Sequence, residues 1–223
     1  LAESMKNEFP EVKDYFRYYQ SGSVQIKVQG TETVREENFG FADPSVFRIM
    51  GIDFISGTPA GSMSEVAISE NSAIRYFGNL SVSGEMIELR FPEGFLKLSI
   101  SGVYREFPSN STLHPEFIAD IQLSRKMLGQ FQRDLGDYGS SEIQPLGWRN
   151  SEFLSLLVLD ENADPTELSA KMEKYKELIA NPAQDTLRFK LQPVADIYLG
   201  SEEITGSFFL RKGNAEELKY YEI

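Results

Sequence analysis

Leu96, Leu98 and Ile100 alternate with Lys97, Ser99 and Ser101, and farther on Phe117, Ala119, Ile121 and Leu123 keep the same period of two. Such alternation puts one set of side chains on a buried face, so each run is predicted to be a half-buried strand. Between them stand Pro108, Ser109, Asn110, Ser111 and Thr112, with a second proline at Pro115. Proline has no amide N–H to donate and biases the residue before it toward extended backbone. Ser, Asn and Thr side chains bond their own backbone. The segment is therefore predicted to be an irregular turn that carries the chain from one layer to another.

The same reading extends along the chain. Leu1, Met5 and Phe9, spaced by four and closed by Pro10, predict a helix arriving from upstream. Tyr15–Tyr19 and Val24–Val28 are predicted strands joined at Ser21-Gly22-Ser23, and Val34–Phe41 is a third. Asp43-Pro44 predicts a helix start, with Asp43 as N-cap and Pro44 in the first turn. Val46, Phe47, Ile49 and Met50 supply its buried face and Gly51 its stop. Phe54–Ser64, with Gly57, Pro59 and Gly61, reads as loop. Val66–Ile68 is a short buried strand, and Ser69 caps a helix with Ala73, Ile74 and Phe77 on one face and Gly78 as its end. Met86–Leu89 and Leu96–Tyr104 form a predicted hairpin about Pro92-Glu93-Gly94.

Arg125–Leu135 is predicted helical and Gly136–Gly147 a mobile surface loop. Phe153–Leu159 is nearly all apolar, as in a central strand covered on both faces. Asp164, Pro165 and Glu167 form a capping box, and Leu168, Met172, Tyr175 and Ile179 a single helical stripe ended by Asn181-Pro182. Leu187, Phe189 and Leu191 alternate as a last strand, Ile197-Tyr198-Leu199 follow a Pro193 turn, and Asn214 with Glu217 caps a final helix. Hairpins mixed with strand–helix units predict an α+β fold.

Composition narrows the function classes. The 223 residues, 41% apolar and 12% aromatic, suffice for one large domain or two small ones. A formal charge of −12 with no run of Lys and Arg excludes a nucleic-acid partner and disfavours charge-driven binding to anionic lipid. The absence of cysteine removes disulfides, thiol catalysis and Cys-based zinc sites. No run of 18 apolar residues is present to span a bilayer. The chain opens on Leu1-Ala2-Glu3 rather than an initiator Met and is expected to be a piece of something longer.

Candidate chemistry is sparse. Any Ser-His-Asp arrangement would rest on His114, the single histidine, which sits between Leu113 and Pro115 in a turn and is expected to be structural. No nucleophile elbow, P-loop or dinucleotide fingerprint occurs. Asp160, Asn162 and Asp164 have the first spacings of a calcium loop, but Pro165 stands where glycine is needed and Lys171 where a bidentate Glu is needed. A capped turn accounts for them. Glu36-Glu37 and Glu202-Glu203 are expected to be solvated, since a strand sends neighbours to opposite faces. Asn79-Leu80-Ser81 and Asn110-Ser111-Thr112 match the N-glycosylation pattern, which carries meaning only in a eukaryotic secretory setting. Tyr15, Phe16, Tyr18 and Tyr19, and Tyr220 with Tyr221, serve either core packing or an interface.

Five motifs in order resemble a known family. They are Asp43-Pro44-Ser45-Val46-Phe47 with Gly57; Val66–Glu70 running into Ala73 and Tyr76-Phe77-Gly78; Val103–Ser111, which includes Pro108, Asn110 and Ser111, leading to Phe117; Leu191–Leu199 around Pro193; and Gly213-Asn214. Together they resemble the extracytoplasmic domain of MacB/FtsX-type ABC-transporter permeases, over nearly the whole chain. Tyr198 stands where the family often has His, and Ser81–Glu85 replaces its usual Pro-Ile-Gly-Lys-like turn. Neither is a catalytic position.

The resemblance implies a porter-like α+β subdomain, residues 1–55 and 113–223, with a smaller inserted subdomain, residues 56–112. It implies a domain between two transmembrane helices, on the outer side of the bacterial inner membrane. It implies a second permease subunit and a cytoplasmic ATPase as partners, and in some members a periplasmic adaptor or other envelope protein. It implies no enzyme activity, no cofactor and no metal: the domain couples ATP-driven movement of membrane helices to work outside. The alternative reading is a free-standing periplasmic binding or adaptor module. An enzyme built on carboxylates alone would need a pair that spacing does not single out.

Overall fold

The computed structural model describes residues 1–28, 32–91, 94–109, 111–125, 153–176 and 189–200. The helix α1 (Ala2–Glu8) leads into the nine-residue strand β1 (Val12–Gln20), followed by β2 (Val24–Val28), β3 (Thr33–Glu36) and β4 (Phe39–Ala42). Next come α2 (Ser45–Met50), β5 (Phe54–Gly57), β6 (Glu65–Ser69) and α3 (Glu70–Phe77). The hairpin β7 (Met86–Phe91) and β8 (Gly94–Tyr104) precedes β9 (Phe117–Asp120), β10 (Leu154–Leu159), α4 (Pro165–Met172) and α5 (Val194–Gly200). The fold is a mixed α+β arrangement.

One sheet takes up all ten strands of the described residues, in the order β10-β1-β4-β9-β6-β8-β7-β2-β3, with β5 also on β8. The β4/β9 and β6/β8 pairs are parallel and the rest antiparallel. The 56–112 segment thus supplies the middle of a sheet whose flanks come from the rest of the chain.

Strand geometry divides the core. Successive side chains leave a strand on opposite faces, so Phe41, Val66, Ile68, Val103, Phe117 and Ala119 pack into one cluster, under α3. Their neighbours Ala42, Ala67, Tyr104 and Ile118 pack into another, with Val46 and Phe47 of α2. A third cluster joins Met5 and Phe9 to Val12 and to Leu168, Met172 and Tyr175 of the α4 region. Phe16 and Tyr18 are core residues, and Tyr19 packs on Phe41 and Phe153, so these aromatics are used for packing.

Several expectations are revised. Val34–Phe41 is two strands: β3 pairs with β2 at the far end of the sheet, whereas β4 crosses to β1 and β9. The stretch expected to be loop contains β5, which approaches β8 where glycines face it. A Cβ on Gly102 would lie 2.7 Å from the Ser56 carbonyl, and one on Gly57, at φ +71°, 2.2 Å from that of Ser101. Only hydrogen side chains permit that contact.

β10 ends the sheet order among the described residues rather than lying at its centre. Its apolar run is explained by its place between two clusters, with Leu156 in the second and Leu157 and Leu159 against the third. The alternation through Leu123 stops at Asp120, because residues 121–125 are helical and the Asp120 carboxylate takes the Gln122 amide at 2.7 Å. Phe189 and Leu191 lie in irregular backbone. After Pro193, whose carbonyl accepts the Asp196 amide at 3.0 Å, the chain forms α5. Ile74, expected on the inner face of α3, is 51% exposed. The expectations for Arg125–Leu135 beyond its first residue, Gly136–Gly147, Ile179, Asn181-Pro182, Leu187, Glu202-Glu203, Asn214 with Glu217 and Tyr220-Tyr221 lie outside the described residues.

Candidate functional site

Two polar networks hold helices to the sheet, and neither stands out in the linear sequence. The first is built on Asp43, at the end of β4. Its carboxylate accepts the Arg17 amide at 2.7 Å, Arg17 Nε at 2.9 Å and Arg17 Nη2 at 2.7 Å. The side chain expected to cap α2 is therefore spent on β1. Pro44 takes the capping position without a side-chain bond, and the Asp43 carbonyl accepts the Val46 amide at 3.0 Å. Ser45 Oγ donates to the Tyr15 carbonyl at 2.7 Å, a second tie from α2 to β1. The bonds to Asp43 raise the Arg17 pKa above its ordinary value. A bidentate guanidinium–carboxylate pair fixes direction as well as distance.

Asp14 completes this side, accepting from Lys6 of α1 at 3.0 Å and from Arg48 of α2. Burial pushes its carboxyl up, but the bonds from Arg48, Lys6 and the Tyr15 amide outweigh it and bring the pKa down to about 2.

The second network lies beneath α3. Val34 and Glu36 share a strand face, so the packing of Val34 on the first cluster carries Glu36 inward. Glu36, expected to be solvated, is buried. It accepts from Arg75 Nη2 at 2.9 Å and from the Tyr76 hydroxyl. Arg75 also donates to Glu116, which accepts from Ser72 Oγ at 3.2 Å. Burial works against the Arg75 charge, but Glu116 and Glu36 more than offset it and raise its pKa. Burial, then the bond to Glu36, pushes the Tyr76 hydroxyl far above its usual range. The network is hidden because the one signal for burial of Glu36, the strand phase set by Val34, becomes readable only once β3 is known to end at Glu36. Only the fold brings Arg75, Tyr76 and Glu116 to it.

The motif residues fall into separate places. Gly57 is the close approach of β5 to β8; Gly78, at φ +72°, ends α3, and its amide bonds the Ile74 carbonyl at 3.0 Å. Phe77 packs half-buried against the first cluster. The Pro108 carbonyl accepts the Ser111 amide at 2.8 Å, Ser111 Oγ accepts the Leu113 amide at 3.2 Å, and His114 Nε2 bonds the Ser111 carbonyl at 2.6 Å. Asn110 lies outside the described residues, and Pro193 is the start of α5. Gly78, Pro108, Ser111 and Pro193 shape turns or helix ends, Gly57 a close strand approach and Phe77 part of the core.

The chemistry follows from these partners. His114 is engaged with backbone, and the one serine beside a carboxylate in the α3 network, Ser72, has an arginine rather than a base next to it. Asp160 is tied to Lys13 and to the Asn162 amide, and Asp164 caps α4 through the Thr166 amide at 2.7 Å. Among the described residues no three His, Cys, Asp or Glu are grouped to hold a metal ion, and no helix is long and apolar enough to cross a membrane. The networks are fastenings.

No protein-family model matches the sequence, and no curated protein matches it. Solved structures do. A domain of a protein assigned as a permease, from Porphyromonas gingivalis, superposes with a TM-score of 0.63 at 18% identity, covering 86% of this chain and 84% of that one. The periplasmic region of MacB from Actinobacillus actinomycetemcomitans gives 0.58 at 13% identity, covering 92% and 83%. The architecture of this chain, a mixed sheet carrying a few helices, is like that of the periplasmic region of MacB.

Proposed function

We propose that this chain is the non-catalytic extracytoplasmic domain of an ABC-transporter permease of the bacterial inner membrane. It would work with a second permease subunit and a cytoplasmic ATPase, and transmit membrane-helix movement to a substrate or partner outside. The observation that carries the reading is the likeness to the MacB periplasmic region over 92% of the chain. In this reading residues 56–112 are the inserted unit within a porter-like frame of 1–55 and 113–223.

The fastenings support a lever. Met5 of α1 and Phe9 just after it are buried beside α4, and Lys6 reaches Asp14 on β1, so the N-terminal helix is part of the rigid body. Movement entering at that end is passed to the sheet rather than absorbed in a hinge.

The parent reading frame and its membrane behaviour test this. Apolar helices of about 20 residues should flank the chain, and the parent protein should fractionate with inner membrane and co-purify with an ATPase. ATPase-driven transport should be lost on deleting this domain while ATP hydrolysis persists. Recovery of the parent protein free in the periplasm would establish the adaptor reading instead.

A further inference from the structure

The open face of the β3-β2-β7-β8 ribbon has a charge opposite to that of the whole chain. On these strands the residues facing away from the first core cluster are exposed or half-exposed: Gln25 and Lys27, Thr33 and Arg35, then alternate residues of β7 and β8. Among the described residues α3 lies on the other face and α2 packs near Ala42 and Tyr104, away from these side chains. In strand register Lys27 stands opposite Glu88 and Glu88 opposite Lys97, while Arg35 stands opposite Gln25 and Arg90 opposite Phe95. Lys27 and Lys97 thus flank Glu88, with Lys97 at 4.0 Å, while Arg35 and Arg90 stand on the same face one pair farther along their strands. The linear sequence shows no basic cluster because these four are spread over four strands.

The face also has apolar anchors. Phe95 is 39% and Met86 37% exposed, and the Arg90 guanidinium lies over the Phe95 ring at 5.0 Å. Arg, Met and aromatic side chains are the composition of a protein interface.

We propose that this ribbon face docks an acidic polypeptide segment of a protein partner, laid across the four strands with an apolar side chain against Phe95. At about 4.8 Å per strand step the face is roughly 14 Å wide. A segment of that size feels chiefly charges within a Debye length of about 8–10 Å, and on this face of the strands four cations outnumber the single Glu88 carboxylate. An extended anionic bilayer would also meet the remainder of a chain whose net charge is −12, and is repelled by it.

The test uses this chain and a fluorescein-labelled peptide alternating Glu with Leu, titrated by anisotropy at two salt concentrations. Binding that weakens severalfold with added salt is expected. So is a loss of at least tenfold in K27E/R35E/R90E/K97E, and a smaller loss in F95S. These are surface changes, and circular dichroism checks that each variant is folded. The proposal is overturned by absence of binding, by equal binding of the quadruple variant, or by equal affinity for a Lys/Leu peptide. It is likewise overturned if phosphatidylglycerol vesicles bind while the peptide does not, or if sedimentation shows that the charge reversals disperse a self-association. None of these outcomes bears on whether the parent protein is a permease.

Discussion

Glu36 on β3 and Arg75 on α3, 39 residues apart in sequence, meet at 2.9 Å, with the carboxylate side chain 8% exposed and the guanidinium 47%. The pair joins the sheet's far end to the helix above it. Arg75→Ala leaves a buried carboxylate with only the Tyr76 hydroxyl, and a cost of roughly 1.5–3 kcal/mol is expected from urea unfolding. Adding Glu36→Gln to that variant should recover part of the loss. A double-mutant cycle with no coupling would show that the two act separately.

The β5–β8 contact gives a sharper steric expectation. Gly102→Ala must displace backbone at Ser56 and Thr58, and should cost about 3 kcal/mol or more, or prevent folding. Gly51→Ala, at φ +66° with nothing within 4 Å, meets only the left-handed penalty of about 1 kcal/mol. Thermal melts of the two should differ accordingly; equal effects would contradict the packing described.

Aromatic stacking at the sheet's centre predicts a third difference. Phe39 and Phe117 stack at 5.5 Å and 3°, both fully buried, so Phe117→Ala should cost about 3–5 kcal/mol. Ile74→Ala, on the exposed side of α3, should change stability by less than about 0.5 kcal/mol.

Much of this was legible in advance. The Ser69 cap and Gly78 stop of α3, the Gly51 stop of α2, and the Asp164-Pro165 start of α4 stand where local chemistry puts them, because caps depend on residues within a turn of one another. The β7–β8 hairpin follows from its alternation. What was hidden depends on distant partners. Asp43 caps nothing because Arg17, 26 residues away, takes its oxygens. Glu36 is buried because Val34 sets its face, and β5 pairs because two glycines from remote segments coincide.

Acidity supplies the fourth expectation. The Asp14 pKa is held at about 2, against an ordinary 3.8, chiefly by Arg48 and Lys6 once burial is overcome. A depressed carboxyl contributes stability that is present above the unfolded pKa and is lost as pH falls from 3.8 toward 2. Both cations are largely exposed, so Asp14→Asn should lower stability at pH 7 by only about 0.5–1 kcal/mol. The wild-type excess over the variant should shrink on acidification through that window. A pH-independent difference would assign the effect to packing.

β1 lies between β10 and β4, antiparallel to both, and α1 precedes it by a three-residue turn, Phe9 to Glu11. Tension applied at the amino end therefore runs lengthwise along β1 and loads its lateral hydrogen bonds in shear, many at once, rather than peeling them one by one. The attachment of β1 is therefore strongest against a load along its own axis.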